Sequence, residues 1–143
     1  MIYTNLTRTA MTIACRAHQG QLDKAGFPYI HHPLHVAEQM TEEYTCAAAL
    51  LHDVMEDTPV TAEQLRAAGI PDPVVEALTL LCHDPDVPYL DYVRRLKDNP
   101  IARAVKLADL GHNSDVSRLD SVTPRDEMRL ERYRRAMALL VEK

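Results

Sequence analysis

Residues Thr45 to Leu51 read Thr-Cys-Ala-Ala-Ala-Leu-Leu, with no charged side chain in the run, and His52-Asp53-Val-Met-Glu56-Asp57 follow directly. A helix that is apolar on every side has to be surrounded by protein. The pattern therefore predicts a helix over 45–57 whose first half is central and buried, and whose second half carries one imidazole and three carboxylates. Thr58 stands before Pro59 and is pushed out of the α region, so the helix stops near Asp57. The rest of the chain must supply elements able to wrap one helix on all sides.

Those elements announce themselves at their boundaries. Thr61 with Gln64 reads as a capping box, while Asp72-Pro73, Asn99-Pro100 and Thr123-Pro124 each put a capping side chain before a proline at the first helical position. The expected helices span 4–19, 33–43, 45–57, 62–67, 73–82, 88–98, 100–112 and 124–142. Only four Gly, 5% aromatic residues and no Trp argue against a β-sandwich or barrel, which needs glycine turns and aromatic or β-branched runs. The fold class expected is all-α, as one compact multi-helix domain over residues 1–143. Its longest irregular connection is 19–32, which holds Gly20, Gly26 and Pro28, and long loops in compact domains are often functional.

Charge narrows the partners. A formal net charge of -5 gives no basic field for nonspecific binding of nucleic acid or acidic lipid, so a polyanionic ligand would need a metal ion or a local basic pocket. No nucleic-acid or membrane partner is expected. Cys15, Cys46 and Cys82 lack any C-x-x-C pairing and read as small core residues in a reducing compartment. Residues Met1 to Gly20, with Arg8, Arg16 and His18, contain no continuous apolar stretch for a signal peptide, which leads to a cytoplasmic expectation.

Carboxylates at the C-terminal end of a buried helix run against the helix dipole, and such local violations are expected at functional sites. A bound divalent cation would resolve the conflict. A His-Asp pair alone is common and is more often a solvated helix end than a metal site. Two further candidates strengthen the case: His31-His32-Pro33 at the end of the irregular loop, and Asp109 within Lys106-Leu-Ala-Asp109. A mixed histidine and carboxylate set suits Mn²⁺, Fe²⁺ or Co²⁺ better than Zn²⁺ or Mg²⁺. Such an ion acidifies a bound water and stabilises charge on a phosphoryl oxygen, with Glu56 and Asp57 placed to orient or deprotonate that water.

The motifs His18-Gln-Gly-Gln21, Gly26-Phe-Pro-Tyr-Ile-His-His32-Pro, Ala49-Leu-Leu-His-Asp-Val-Met-Glu-Asp-Thr58 and Val105-Lys-Leu-Ala-Asp109 occur in that order. Through them the chain resembles the HD superfamily, and specifically the (p)ppGpp hydrolase domain of RelA/SpoT proteins and the small alarmone hydrolases, from about residue 9 to 120. The resemblance implies an HD-domain helical bundle and a metal ion, usually Mn²⁺, held by His32, His52, Asp53 and Asp109. It also implies Glu56 and Asp57 as the catalytic acidic pair, and removal of the 3′-pyrophosphate from ppGpp. Lys24 and Asn113 match ligand-contacting positions, and Lys106 is a third substrate-contact candidate, although an ion pair with Asp109 one helical turn away accounts for it equally well. His18 and Tyr29 read as supports for the loop.

Departures from the family pattern are equally specific. Asp23 stands where the family has an arginine that stacks on guanine, Ala25 follows Lys24, Leu110 replaces the arginine after the Lys-Leu-Ala-Asp motif, and Asn113-Ser-Asp115 replaces Asn-Met-Arg. Aspartate cannot supply arginine's planar stacking and forked hydrogen bonds. The alternative readings are an HD phosphohydrolase of another phosphorylated nucleotide, and a non-catalytic nucleotide-binding regulatory module. Arg94-Arg95 and the group Arg129, Arg132, Arg134 and Arg135 read as a solvated face, with a homo-oligomer contact as the alternative, and the stripe Leu130, Tyr133, Met137, Leu140 reads as core.

Overall fold

The computed structural model describes residues 1–117 and 119–142. Within them the chain forms α1 (Asn5–Ala17), α2 (His31–Glu38), α3 (Glu43–Leu51), α4 (Val54–Asp57), α5 (Ala62–Ala67), α6 (Asp72–Leu81), α7 (Tyr89–Leu96), α8 (Pro100–Asn113) and α9 (Pro124–Val141). There is no strand among the described residues, only an isolated antiparallel bridge between Leu22 and Pro28. The all-α expectation holds, and none of these helices is long and apolar enough to cross a membrane.

The uncharged run sits where its pattern requires. Every residue from Thr45 to Leu51 is buried, and α3 packs against α1, α2, α6 and α8. Leu50 and Leu51 are fully enclosed, each contributing about 1.5–3 kcal/mol relative to an exposed side chain. α9 lies across α7 and α8, and α5 rests on α6. The site residues thus come from the helices touching the most buried element, with α9 added from outside.

Four of the local expectations need correction. The helix expected over 45–57 is interrupted at His52-Asp53, giving α3 and the four-residue α4. The cause is local: the His52 ring places Nδ1 2.6 Å from the Ala49 carbonyl, the same acceptor that the His52 backbone N–H reaches at only 3.5 Å. Secondly, α2 begins at His31 rather than Pro33 and ends at Glu38. Thirdly, Asp72 is the first residue of α6 and makes no cap; its carboxylate pairs with Arg66 Nε at 3.2 Å, while Pro71 occupies the cap position. Fourthly, of the cysteines only Cys46 is buried, and Cys15 is exposed on the outer side of α1. The caps at Thr61, Asn99 and Thr123 form as expected, the first and last as complete capping boxes.

The irregular segment before α2 has its own architecture. The Asp23 N–H donates to the Phe27 carbonyl at 2.8 Å, and Asp23 Oδ1 accepts from the backbone N–H of Ala25 and of Phe27, both at 2.9 Å. Gly26 closes this turn with φ of +88°, a conformation costly for any residue with a Cβ. The result is a tight knuckle over 22–28 that leads directly into α2.

Candidate active site

Three buried helices converge on one point. His32 enters from the first turn of α2, His52 and Asp53 from the break between α3 and α4, and Asp109 from α8. One ligand-capable atom from each lies within 4.8 Å of all the others. His32 Nε2 is 2.7 Å from Asp109 Oδ1 and 3.7 Å from Asp53 Oδ2; His52 Nε2 is 3.1 Å from Asp53 Oδ2, 3.3 Å from Asp109 Oδ1 and 3.2 Å from His32 Nε2. The sequence motifs are far apart in the chain, yet all four side chains named from them meet here.

The chemistry of this set calls for a cation. His52 Nδ1 sits against the Ala49 carbonyl, which can only accept, so the ring proton belongs on Nδ1 and a lone pair remains on Nε2. That lone pair faces two carboxylate oxygens, acceptor against acceptor, unless a proton or a metal ion stands between them. Burial opposes a charged imidazolium at His52, but Asp53 and Asp109 outweigh it and hold its pKa well above the ordinary histidine range. Burial likewise acts to raise the Asp109 carboxyl, and Lys106, His32 and His52 overcome it and hold Asp109 well below the usual carboxylate range. Asp53 is lowered in the same way, chiefly by His52. Two imidazole nitrogens and two carboxylate oxygens at these spacings fit a divalent ion of the borderline class.

Both carboxylates of the predicted set are braced from behind. The Tyr29 hydroxyl donates to Asp53 Oδ2 at 2.6 Å, Lys106 Nζ donates to Asp109 Oδ2 at 3.0 Å, and Asn113 Nδ2 donates to Asp109 Oδ1 at 3.1 Å. Lys106 therefore adopts the internal ion pair of its two sequence readings, with its ammonium 5.7 Å from the Tyr89 ring centroid and 5.3 Å from that of Tyr92. His18 supports the loop as expected: its Nδ1 meets Gln21 Oε1 at 2.9 Å, its ring lies 4.9 Å from that of Tyr29, and Gln21 Nε2 donates to the Asp57 carbonyl at 3.3 Å.

Glu56 and Asp57 are exposed beside the cluster, and each offers an oxygen within 4.8 Å of one on Asp53. Glu56 Oε1 accepts the His83 backbone N–H at 2.8 Å, which fixes its position. Burial and the neighbouring charges of Asp53 and Glu56 push the Asp57 carboxyl up from its ordinary value.

Next to the cluster opens a cavity of about 310 Å³, whose wall includes Asp23, Lys24, Tyr29, Asn113, Arg129 and Tyr133. Lys24 and Asn113, named from the sequence as substrate-contact candidates, both stand in this wall. Asp23 is an element of loop construction, its carboxylate engaged by two backbone N–H groups. Leu110 is fully buried in the core, so this substitution does not alter the cavity wall. The sequence pattern suggests a solvated face for Arg129 and core for Tyr133; the structure sets both in this wall, one helical turn apart on α9, with Arg129 paired to Asp126. Their i, i+4 spacing was the available signal. A larger groove of about 550 Å³ lies on the opposite face of α8, among Ile101, Ala104, Leu107 and Ala108, and contains none of the site residues.

With this geometry established, similarity to known proteins becomes informative. Residues 10–78 match the family model described as HD domain. The chain is 50% identical over 58 residues to a guanosine-3′,5′-bis(diphosphate) 3′-pyrophosphohydrolase of Haemophilus influenzae, a stretch covering 38% of this chain and 9% of that protein. It is 46% identical over 63 residues to the bifunctional (p)ppGpp synthase/hydrolase SpoT of Escherichia coli, covering 41% of this chain and 9% of the relative. A Synechocystis protein named "Probable guanosine-3′,5′-bis(diphosphate) 3′-pyrophosphohydrolase" is 33% identical over 138 residues, 86% of this chain and 18% of its own length. The matched stretch is thus about a tenth of the first two relatives. A solved structure described as a metazoan ortholog of SpoT that hydrolyzes ppGpp superposes with a TM-score of 0.73 at 24% identity, covering 99% of this chain and 86% of that one. Residues 10–78, just under half of the chain, thus resemble an HD domain, the fold is all-α, and the similar proteins include (p)ppGpp hydrolases.

Proposed function

We propose that the protein is a divalent-metal-dependent phosphohydrolase that removes the 3′-pyrophosphate of (p)ppGpp, with Mn²⁺ as the working ion. The observation that carries this reading is the lone pair of His52 Nε2 set against two carboxylates, an arrangement a metal ion stabilises and neutral side chains alone do not. His32, His52, Asp53 and Asp109 are the proposed ligands. The ion would supply Lewis acidity toward a phosphoryl oxygen and acidify the attacking water.

This chain's own residues do the rest. Asp57, with its raised pKa, accepts the proton of the attacking water, and Glu56, fixed by the His83 N–H, orients that water. Lys106 neutralises the second oxygen of Asp109 and keeps the first directed at the cluster. The adjoining cavity takes the nucleotide, with Lys24 and Arg129 as its cations and Tyr29 and Tyr133 as ring surfaces for a base. Asp23 builds the turn that presents Lys24, so base contact here does not depend on an arginine at position 23.

A second substrate reading rests on a specific feature of the same cavity, whose wall also includes the carboxylates of Asp23 and Asp115. That balance suits a less highly charged nucleotide. The deciding experiment incubates metal-stripped protein with added Mn²⁺ and ppGpp, GTP, NADPH or nucleoside monophosphates, and resolves products by ion exchange, with Asp53→Ala as control. Release of GDP and pyrophosphate by wild type alone supports the alarmone reading. Turnover of another nucleotide in place of ppGpp transfers the same chemistry to that substrate, and no turnover of any overturns the proposal.

A further inference from the structure

The two histidines of the cluster are braced by chemically different partners. His52 has a backbone carbonyl behind it, which can only accept. Behind His32 stands another imidazole: His32 Nδ1 is 2.7 Å from Nδ1 of His112, one turn beyond Asp109 on α8. The planes of the two rings differ by only 9° with centroids 4.9 Å apart, the spacing of rings lying edge to edge with the two nitrogens between them. This is therefore a hydrogen bond in the ring plane rather than a stack. His112 is 5% exposed, and the rings of His35 at 4.1 Å and His31 at 5.5 Å cover it.

A hydrogen bond between two Nδ1 atoms can run in either direction, and the direction decides what His32 offers the cluster. If His112 donates, His32 carries its proton on Nε2 and hands it to Asp109 Oδ1 at 2.7 Å, so no lone pair is available at the centre. If His32 donates, its Nε2 lone pair faces the cluster and the proton of His112 must be on its own Nε2. We infer that His112 is a positioning residue that locks His32 in the metal-binding tautomer by accepting its Nδ1–H. The inference rests on the metal reading proposed above and extends it to a residue outside the ligand set. It also separates the two histidines: His52 is bound to one tautomer by its carbonyl, whereas His32 depends on the state of a neighbouring side chain.

The test is metal affinity on the full chain, measured by titration calorimetry with Mn²⁺ for wild type, His112→Leu and His112→Asn. Leucine fills the space without an acceptor; asparagine can place Oδ1 where Nδ1 stood. Removing such a partner commonly weakens metal binding by about 10- to 100-fold. The expected result is a loss of that size for His112→Leu, most of it recovered in His112→Asn, with circular dichroism unchanged in both. As a measurement that requires no variant, ¹⁵N two-bond spectra of the wild-type protein loaded with diamagnetic Zn²⁺ should show His32 protonated at Nδ1. Equal affinity for all three proteins, or a His32 proton on Nε2 in the Zn²⁺ form, overturns this inference while leaving the metal site standing. Absence of Mn²⁺ and Zn²⁺ binding by wild type overturns the metal reading and the inference with it.

Discussion

The cluster and the cavity beside it are built by opposite means. His32, His52 and Asp109 are buried, come from the end of α3 and from helices packed on it, and receive second contacts from carbonyl, imidazole, ammonium and amide groups. The cavity wall is made of peripheral pieces: the 22–28 knuckle, the end of α8, and one face of α9. Its cations are less enclosed, Lys24 being exposed and Arg129 half-buried. The proposed metal ligands thus sit on elements packed around α3, while the proposed recognition surface is built from pieces at the periphery. The departures at Asp23 and Asp115 both fall in the second region.

Breaking the core side should have the largest effect. Asp109→Ala removes a ligand candidate and leaves the buried Lys106 ammonium without its carboxylate; hydrolysis in the Mn²⁺ assay should fall to buffer level and the melting temperature should drop. Tyr29→Phe, which deletes only the hydroxyl on Asp53, should lower Mn²⁺ affinity by about 10- to 100-fold in the same calorimetric titration with little change in melting. On the cavity side, Arg129→Ala should raise KM about tenfold, roughly 1.4 kcal/mol, with kcat and metal affinity nearly unchanged in steady-state kinetics. Tyr29 borders both regions, so equal insensitivity of metal affinity to Tyr29→Phe and Arg129→Ala would erase the contrast.

pH sharpens the same contrast in chelator-treated protein. The raised pKa of His52 contributes stability that is fully present below the unfolded value of about 6.5 and is lost as pH rises through the folded value. The depressed Asp109 contributes stability present above about 3.9 and lost as pH falls through its folded value. Both describe the same ion pairs and count once. Denaturant unfolding should therefore show greatest stability from about pH 4 to 6.5, with Mn²⁺ flattening the alkaline decline by replacing the His52 proton. The smallest effect is expected for Asp23→Arg: restoring the residue usual in the family costs two backbone N–H groups their acceptor, about 1–3 kcal/mol, and should lower the melting temperature by a few degrees without improving KM.

The core side was legible because its residues break local rules. Carboxylates after an all-apolar helical run have no comfortable explanation in propensity, and the proline-marked caps at Asn99 and Thr123 place the starts of α8 and α9. What escaped was decided by side chains acting on backbone or across long separations. The break at His52-Asp53 depends on an imidazole competing for the Ala49 carbonyl, which periodicity cannot register. Asp72 was read as a cap because Pro73 follows it, yet Pro71 already holds the extended conformation and Asp72 turns to Arg66. Arg129 looked like one more arginine on a charged helix, and only the packing of α9 across α8 gives it a cavity to face. The contact of His112 with His32 spans 80 residues, and nothing in the sequence around His112 points to it.

The hydrogen bond from Tyr29 to Asp53 has a consequence for how the two regions communicate. Tyr29 is both a wall of the cavity and a partner of Asp53, a proposed metal ligand, and it lies just beyond the knuckle that carries Lys24. A nucleotide bound there, as proposed, would act on the same segment that steers the Asp53 carboxylate. Free-energy coupling of this kind is reciprocal: whatever factor bound nucleotide applies to ion affinity, the ion must apply to nucleotide affinity. Occupancy of one chamber would then be felt in the other without any domain motion, through a single phenolic proton.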